Sequence, residues 1–458
     1  MGKRQPGMRV LGAVAAVVAL FLGGVACGSD SSSGAGGTLE MWTFKQAHVK
    51  PLQAAAASFK EKTGITVNIT AYTPDDAYKS KIQSAAASKN VADVLEVHAA
   101  GEDFVLGGSG ILADLSSVVT PEWKSRFVKG TADAGLVAED RYQRSLKPKA
   151  PDAGIKTGQY FSVPLTAGTF GIVYANKAKL TAAGLDPAKP PTTWSEFITW
   201  LQTVQAKDPQ TGGLTLGLKA PTTGFNWALE PLTFGLLGKE KYQALFGNDP
   251  AKSWASPDGQ RALALYDQLT PYWSPGTQTL GIDDADRAFA QGKAAFDIGG
   301  TFTLAAFQQN GMNPGDVVAF GLPAAEGSVA SPLKLAPLAL TGLAVSAQTK
   351  KQDDAVKWLD HLTSVEQAGA FAQASLDLPG TDLGADASRL LGPELTALQN
   401  VFGDASAGAY DPADVTFFSP AYEDKLAGEA LVRMSPLKET TPAKLSQELG
   451  TMIATSWK

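Results

Sequence analysis

The sequence contains few side chains of the kinds that enzymes use for covalent or metal-assisted chemistry. It has three histidines, His48, His98 and His361, and one cysteine, Cys27. A serine triad needs a histidine base beside a serine on a sharp turn, and a catalytic zinc site needs a motif such as H-E-x-x-H or paired cysteines. Neither zinc motif occurs, and no serine has the glycine-flanked context of a nucleophile. We therefore expect no metal and no cofactor.

Carboxylates are the remaining candidates for catalysis. Glu102 and Asp103 are adjacent, and Glu230 lies in the stretch GFNWALEP, residues 224–231. Two carboxyl groups that flank a glycosidic bond can hydrolyse it. An anchored extracellular glycoside hydrolase that uses Glu102 or Glu230 as acid or base is therefore one hypothesis. Nine tryptophans and 20 phenylalanines supply aromatic faces, which suit both a protein core and an apolar ligand surface.

Length and charge restrict the class of protein. A chain of 458 residues is too long for one hydrophobic core, so two lobes or domains are expected. The net charge of −6 comes without a sustained basic face, which argues against a nucleic-acid partner. A single cysteine excludes a disulfide framework within the chain.

The elements that would position these residues alternate between strands and helices. Residues 38–44, 65–70 and 92–97 have strand patterns, and helices are predicted between them at 50–64 and 77–89. This alternation predicts a mostly parallel sheet covered by helices. The pattern recurs beyond the middle of the chain, with a helix at 192–207 that begins with a Thr193–Glu196 capping box, strands at 293–300 and 341–347, and a helix at 350–364. Two α/β lobes explain this order better than one long sheet.

The N-terminus has the pattern of an export signal. The basic residues Lys3, Arg4 and Arg9 precede an apolar run at 10–26. The run is a little short for a membrane span of about 20 residues. We therefore predict a signal peptide over residues 1–26, with a permanent anchor helix as the alternative.

The segment around Cys27 resembles the lipobox of bacterial lipoproteins, although Gly24 stands where that pattern usually has leucine. The resemblance implies that Cys27 becomes the mature N-terminus and carries acyl chains such as palmitate. One chain gives marginal membrane attachment, whereas two hold a protein firmly. Residues 27–37, rich in serine and glycine, would then be a flexible tether.

Several segments, in order, resemble the extracellular solute-binding proteins of ABC importers, in particular the carbohydrate-binding family that includes the maltodextrin-binding proteins. LEMWTF and SFKEKTGITVNI resemble the family's opening strand, helix and second strand. Residues 158–197 are similar to its run Y-x-x-P … Y-N-K … A-G-L … P-x-T-W-x-E-F, with Ala175 inserted after the tyrosine. The resemblance covers nearly all of residues 38–373.

The resemblance implies a periplasmic-binding-protein-like fold, in which two α/β lobes are joined by a hinge and enclose a ligand cleft. The chain would cross between lobes near residues 167–169, near Gly299 and near Leu343. Residues 38–167 and 299–342 would then form lobe 1, and residues 168–298 and 343–458 would form lobe 2.

The resemblance also implies which residues contact the ligand. A sugar presents hydroxyl edges and apolar ring faces, so its site combines aromatic and polar side chains. Carried over by position, the ligand-contacting places are Phe44, Lys45 and Gln46 after the first strand, His98, Glu102 and Asp103 after the third, Thr169 at the first crossing, Asn226, Trp227 and Glu230 in GFNWALEP, and Phe302.

The function implied is that of a monomeric binding protein, lipid-anchored at Cys27 on the extracytoplasmic face of the cell membrane. It would capture a mono- to oligosaccharide by hinge closure and deliver it to an ABC permease, without catalysis. Two alternatives stay open: the anchored glycoside hydrolase, and the same fold with a non-sugar ligand such as a polyamine, an iron complex or a peptide.

Overall fold

The computed structural model describes residues 37–458, which form two lobes, each built around a mixed β-sheet. The strands are β1 (Thr38–Thr43), β2 (Thr66–Ala71), β3 (Val94–His98), β4 (Val163–Gly168), β5 (Phe170–Asn176), β6 (Leu214–Thr215), β7 (Phe296–Gly300), β8 (Val317–Gly321) and β9 (Leu338–Val345). The first sheet has the order β2-β1-β3-β9-β4, and the second has the order β6-β7-β5-β8. The predicted signal peptide at 1–26, the predicted acylated Cys27 and all of the tether except Gly37 lie outside the described residues.

Helices cover both sheets. They are α1 (Gln46–Thr63), α2 (Asp75–Ala87), α3 (Glu102–Gly108), α4 (Pro121–Lys124), α5 (Glu139–Ser145), α6 (Lys177–Ala182), α7 (Trp194–Lys207), α8 (Glu230–Leu237), α9 (Lys239–Ala244), α10 (Pro257–Asp267), α11 (Ile282–Ala290), α12 (Thr303–Gln309), α13 (Gln352–Leu362), α14 (Val365–Ser375), α15 (Ala387–Gln399), α16 (Asp424–Met434) and α17 (Pro442–Ser456). A π-helical turn, Gly224–Leu229, runs directly into α8. Among residues 37–458, no helix combines the length and the apolar composition needed to cross a bilayer.

Local sequence accounts for several helix ends. The predicted capping box of α7 is confirmed, because the Thr193 hydroxyl accepts from the Glu196 backbone N–H and the Glu196 carboxylate accepts from that of Thr193. The predicted stop of α1 is also confirmed, since Gly64 adopts a left-handed conformation with φ of 77° and its N–H bonds to the Lys60 carbonyl. Glycine has no Cβ, which makes that conformation accessible.

The expectation of a mostly parallel sheet is wrong. Three strand pairs are parallel, β1–β2, β1–β3 and β6–β7. Four are antiparallel, β3–β9, β4–β9, β5–β7 and β5–β8. The parallel pairs come from strand-helix-strand units. The antiparallel pairs arise because β5 and β9, the strands that follow a crossing between lobes, run against their neighbours.

Only the first of the three crossings between the sheets lies at its expected position. The chain passes from β4 in the first sheet to β5 in the second at Thr169, as expected. Gly299, however, lies inside β7 opposite Ile172, and Leu343 lies inside β9 opposite Glu96. The second crossing is instead in residues 322–337, between β8 and β9. The third is in residues 376–386, between α14, which packs on α1, and α15, which packs on β8.

The expected lobe limits change accordingly. Within residues 299–342, which were expected in lobe 1, β8 belongs to the second sheet and only β9 belongs to the first. Within residues 343–458, which were expected in lobe 2, α13 and α14 pack in the first lobe. The glycines at 299–300, near the expected second crossing, instead have a packing role. A Cβ on Gly299 would collide with the Thr303 side chain, and one on Gly300 would collide with the Phe302 ring.

Candidate functional site

The candidate site lies where strands of the two sheets begin or end, next to the first crossing between the sheets. Strands β1 and β3 are parallel neighbours, so the loops after Thr43 and after His98 leave the first sheet side by side. Strand β9 begins at the same edge, with Leu338 opposite Gly168. In the second sheet, Phe170 pairs with Gly300, which places the start of β5 beside the end of β7. The carboxyl ends of such strands are where α/β folds usually place ligands.

Three aromatic side chains form a cluster on the second lobe. Phe170 and Trp227 are stacked, with ring centroids 5.0 Å apart and planes at 3°. Phe302 packs edge-on against both, at 6.3 Å from Phe170 and 6.1 Å from Trp227. Trp227 is 8% exposed, and both phenylalanines are half-buried. Such a surface offers an apolar face to the ring of a ligand.

The residues of this aromatic cluster come from three separate elements. Phe170 is the first residue of β5, Trp227 lies in the π-helical turn, and Phe302 immediately precedes α12. The sequence had indicated Trp227 and Phe302 but not Phe170. The available signal was the position of Phe170 directly after the crossing residue Thr169.

Lys45 reaches this cluster from the first lobe. Its Nζ lies 5.2 Å from the centroid of the Phe302 ring, within the range of a cation–π contact. The same Nζ donates to Asp377 Oδ2 at 2.8 Å. Lys45 follows β1, whereas Asp377 lies in the third crossing. Asp377 escaped the sequence reasoning because it stands beyond residue 373, where the resemblance ends.

A buried ionic network lies behind Lys45. His48 Nδ1 is 2.9 Å from Glu96 Oε1, and His48 Nε2 is 3.3 Å from Asp377 Oδ2. Burial alone would lower the pKa of His48, but the charge of Glu96 and hydrogen bonds with Asp377 and Glu96 outweigh it and raise that pKa. Burial would likewise raise the pKa of Asp377, but Lys45 and His48 hold it at about 2. Each of these shifts favours the charged form of its group.

Several buried polar atoms at the crossing have no hydrogen-bond partner within residues 37–458. They are Thr169 Oγ1, Thr301 Oγ1 and Asp377 Oδ1. Leaving such a group unsatisfied costs about 1–3 kcal/mol. Thr301 is also held at the crossing by its backbone, since its N–H donates to the Thr169 carbonyl at 3.0 Å. A polyhydroxyl ligand could satisfy these atoms only in a conformation that exposes them.

Three of the predicted residues meet at the end of β3. The rings of Phe44 and His98 are stacked, with centroids 4.2 Å apart. His98 Nδ1 is 3.0 Å from Glu102 Oε2, and that carboxylate oxygen also accepts from the His98 backbone N–H. Burial would raise the pKa of Glu102, but these hydrogen bonds outweigh it and lower the pKa. An ionised Glu102 is unsuited to the role of general acid that a glycosidase requires.

Two predicted residues, Asp103 and Glu230, are buried and form hydrogen bonds inside the protein. Asp103 is fully buried and accepts hydrogen bonds from the Ser162 hydroxyl at 2.6 Å and from two backbone N–H groups. Its burial raises the pKa to about 6 despite these bonds. Glu230 is 6% exposed and accepts from the Tyr410 hydroxyl at 2.9 Å, and burial raises its pKa to about 8.

The remaining predicted positions are at element ends. Gln46 is the exposed first residue of α1, beside Lys45. Asn226 is half-buried in the π-helical turn, next to Trp227. Across the described part of the chain, no three histidine, cysteine or acidic side chains converge as a metal site would require.

The fold and the sequence are similar to those of known binding proteins. Residues 46–369 match the family model for bacterial extracellular solute-binding proteins. A search of curated proteins finds no match.

Three solved structures illustrate the similarity in fold. A protein from work on xylan utilization by Caldanaerobius polysaccharolyticus is 21% identical, with a TM-score of 0.69 over 90% of this chain and 99% of that one. The solute-binding protein RafE in complex with raffinose is 19% identical, with a TM-score of 0.65 over 92% of this chain and all of that one. The maltotriose-binding protein of Thermus thermophilus is 19% identical, with a TM-score of 0.62 and the same coverage. The predicted periplasmic-binding-protein-like fold is confirmed.

Proposed function

Because the chain belongs to the bacterial extracellular solute-binding protein family, we propose that it captures a carbohydrate between its two lobes for an ABC importer. The observation that carries this proposal is the aromatic cluster of Phe170, Trp227 and Phe302, with Lys45 of the other lobe and Asp377 of the third crossing beside it. A flat apolar surface next to hydrogen-bonding groups matches the two surfaces of a sugar ring.

The similar solved structures support a carbohydrate over other ligands. Raffinose and maltotriose are bound to two of them, and α-D-tagatose is bound to a further similar solute-binding protein, from Thermotoga lettingae. Opening of the lobes would expose the buried, unpartnered oxygens of Thr169, Thr301 and Asp377 to the hydroxyls of a sugar. A sugar that donates to Asp377 Oδ1 and bonds both hydroxyls would remove the cost of burying them unsatisfied.

Delivery and attachment belong to the same proposal. The closed, loaded protein would dock on a membrane permease, and hinge closure would use the three crossings. Acyl chains on Cys27 would hold the protein at the extracytoplasmic face of the membrane. Mass spectrometry of the exported protein should find Cys27 acylated and N-terminal, and an unmodified cysteine would contradict the anchor without touching the binding site.

The binding proposal is tested with a panel of maltose, maltotriose, raffinose, xylotriose and tagatose. A ligand that binds only the folded protein raises its apparent stability, by about 2.7 kcal/mol at one hundred times Kd. We expect at least one saccharide to raise the melting temperature and to give a saturable calorimetric isotherm. A panel that leaves the melting temperature unchanged would refute the carbohydrate assignment.

Catalysis is tested on the same samples. A binding protein returns each saccharide intact after prolonged incubation, as chromatography can check. Products that appear with the wild type and disappear in Glu102→Gln or Glu230→Gln would support the glycoside hydrolase instead.

A further inference from the structure

His48 lies in the protein interior, behind Lys45. Its side chain is fully buried, and each ring nitrogen faces a carboxylate oxygen. Nδ1 meets Glu96 on β3, and Nε2 meets Asp377 in the third crossing. The edge of its ring packs on Phe371 of α14, with centroids 4.9 Å apart.

Only the charged form of the ring satisfies both contacts. A neutral imidazole has one N–H and one lone pair, whereas an imidazolium donates from both nitrogens. In the neutral form, one carboxylate oxygen would face a lone pair inside the protein, where such repulsion is poorly screened. The geometry therefore selects the imidazolium.

The two contacts of His48 converge on Lys45. Asp377 Oδ2 accepts from both His48 Nε2 and Lys45 Nζ. Glu96 Oε2 accepts from the Thr43 hydroxyl at 2.6 Å, and that hydroxyl oxygen accepts from the Lys45 backbone N–H at 3.0 Å. His48 therefore holds the Lys45 side chain through Asp377, and it holds the Lys45 backbone through Glu96 and Thr43.

The charges around His48 balance when its ring is protonated. The titratable groups that face it are Lys45, Glu96 and Asp377, so two cations meet two carboxylates. Loss of the ring proton would leave a net negative charge in this buried network. Either Glu96 or Asp377 would then lose its donor on the ring, depending on which nitrogen keeps its proton.

We propose that His48 is a positioning residue whose imidazolium holds Lys45 against Phe302, and that capture of a carbohydrate is therefore favoured by protonation of His48. This inference rests on the proposed function of the cleft. Affinity should fall as pH rises through the titration of His48. Because linkage is reciprocal, a bound saccharide should raise the affinity of His48 for its proton by the same factor.

The charge state is tested without any ligand. The wild-type protein, labelled with ¹⁵N in its histidines, is titrated by NMR between pH 5 and 10. The signals of the three histidines are assigned with single His→Gln variants. We expect both ring nitrogens of His48 to remain protonated at pH 7.5. A neutral His48 ring at pH 6.5 would overturn the proposal.

The positioning role is tested by the reactivity of Lys45. Acetic anhydride labelling, read by mass spectrometry at one fixed pH, compares the wild type with H48Q and with the control H361Q. His361 packs on Phe59 and Trp358, away from this network. We expect the labelling rate of Lys45 to change in H48Q only. Unchanged labelling in folded H48Q would overturn the positioning role, whether or not a sugar binds.

The link to capture is tested with maltotriose and raffinose as probes. We expect the affinity of the wild type to fall about tenfold from pH 6 to pH 9 or 9.5, a coupling of ordinary size. The fall should be absent in H48Q and K45M and retained in H361Q. If neither probe nor any other sugar binds, the proposed function fails. The NMR and labelling results would still test the charge of His48 and its positioning of Lys45. If a sugar binds with a pH-independent affinity, the coupling is refuted and the proposed function stands.

Discussion

Substitution of Glu230 by glutamine should make the protein more stable at neutral and alkaline pH. Glu230 is 6% exposed, and its identified partner is the hydroxyl of Tyr410. Burial raises its pKa to about 8, because a charged carboxylate loses its hydration there. Glutamine has nearly the same shape, carries no charge, and can accept the Tyr410 hydrogen bond through its amide oxygen.

The size of the effect follows from linkage. The ordinary pKa of a glutamate is 4.5, and the folded value is about 8. The folded state therefore binds the proton more tightly, and stability is lost as pH rises between these two values. At about 1.4 kcal/mol per unit, the higher pKa in the folded state lowers the free energy of unfolding, relative to acid pH, by about 3 kcal/mol at pH 7 and by about 5 kcal/mol above pH 9.

Urea unfolding of the wild type and of Glu230→Gln, at intervals from pH 4 to pH 9, measures this difference. The two proteins should have similar stability near pH 4, and the variant should gain about 4 kcal/mol by pH 8. Glu61→Gln, at an exposed position on α1, should show no such trend. A difference between Glu230→Gln and wild type that stays constant across this pH range would refute the reasoning.

Three further outcomes are expected. Phe302→Ala should weaken saccharide binding by about tenfold to a hundredfold, since an aromatic face is lost. The control Leu146→Ala, at a side chain that is 59% exposed, should leave the calorimetric Kd unchanged. Equal affinities of the two variants would contradict the aromatic cluster as a binding surface. Thr193→Ala should cost about 1 kcal/mol in urea unfolding through loss of the capping box of α7, and a smaller loss than in the exposed control Thr199→Ala would contradict that cap. Burial raises the pKa of Asp297 to about 7, so Asp297→Asn should gain stability relative to wild type as pH rises from 4 to 8, and a gain confined to acid pH would contradict the raised pKa.

Local structure could be predicted wherever a few neighbouring residues decide it. The capping box of α7 involves a hydroxyl and a carboxylate three residues apart. The end of α1 needs only one glycine in a left-handed conformation. Strand β3 is an apolar run between two polar turns, and its predicted and observed bounds differ by at most two residues. Such features depend on contacts within one turn of chain.

The crossings were harder to predict because they depend on which sheet a strand joins. Gly299 and Leu343 both lie in strands, and nothing in their neighbourhood of sequence specifies the partner strand. Hydrogen bonding to β5 or to β3 decides it, and these partners lie more than one hundred residues away. The glycines at 299–300 reflect the close approach of Thr303 and Phe302, which only the fold reveals.

By itself, the sequence determined the α/β character of the chain, its family, and the aromatic and acidic residues from which a site could be built. Side-chain type and spacing carry that information. Only the tertiary structure decided which of them meet. It placed Phe170 beside Trp227 and Phe302, brought Asp377 to Lys45 across more than three hundred residues, and directed Glu230 and Asp103 into internal contacts. The physical reason is that a binding site is made of long-range contacts, and those follow from the pairing of strands and the packing of lobes.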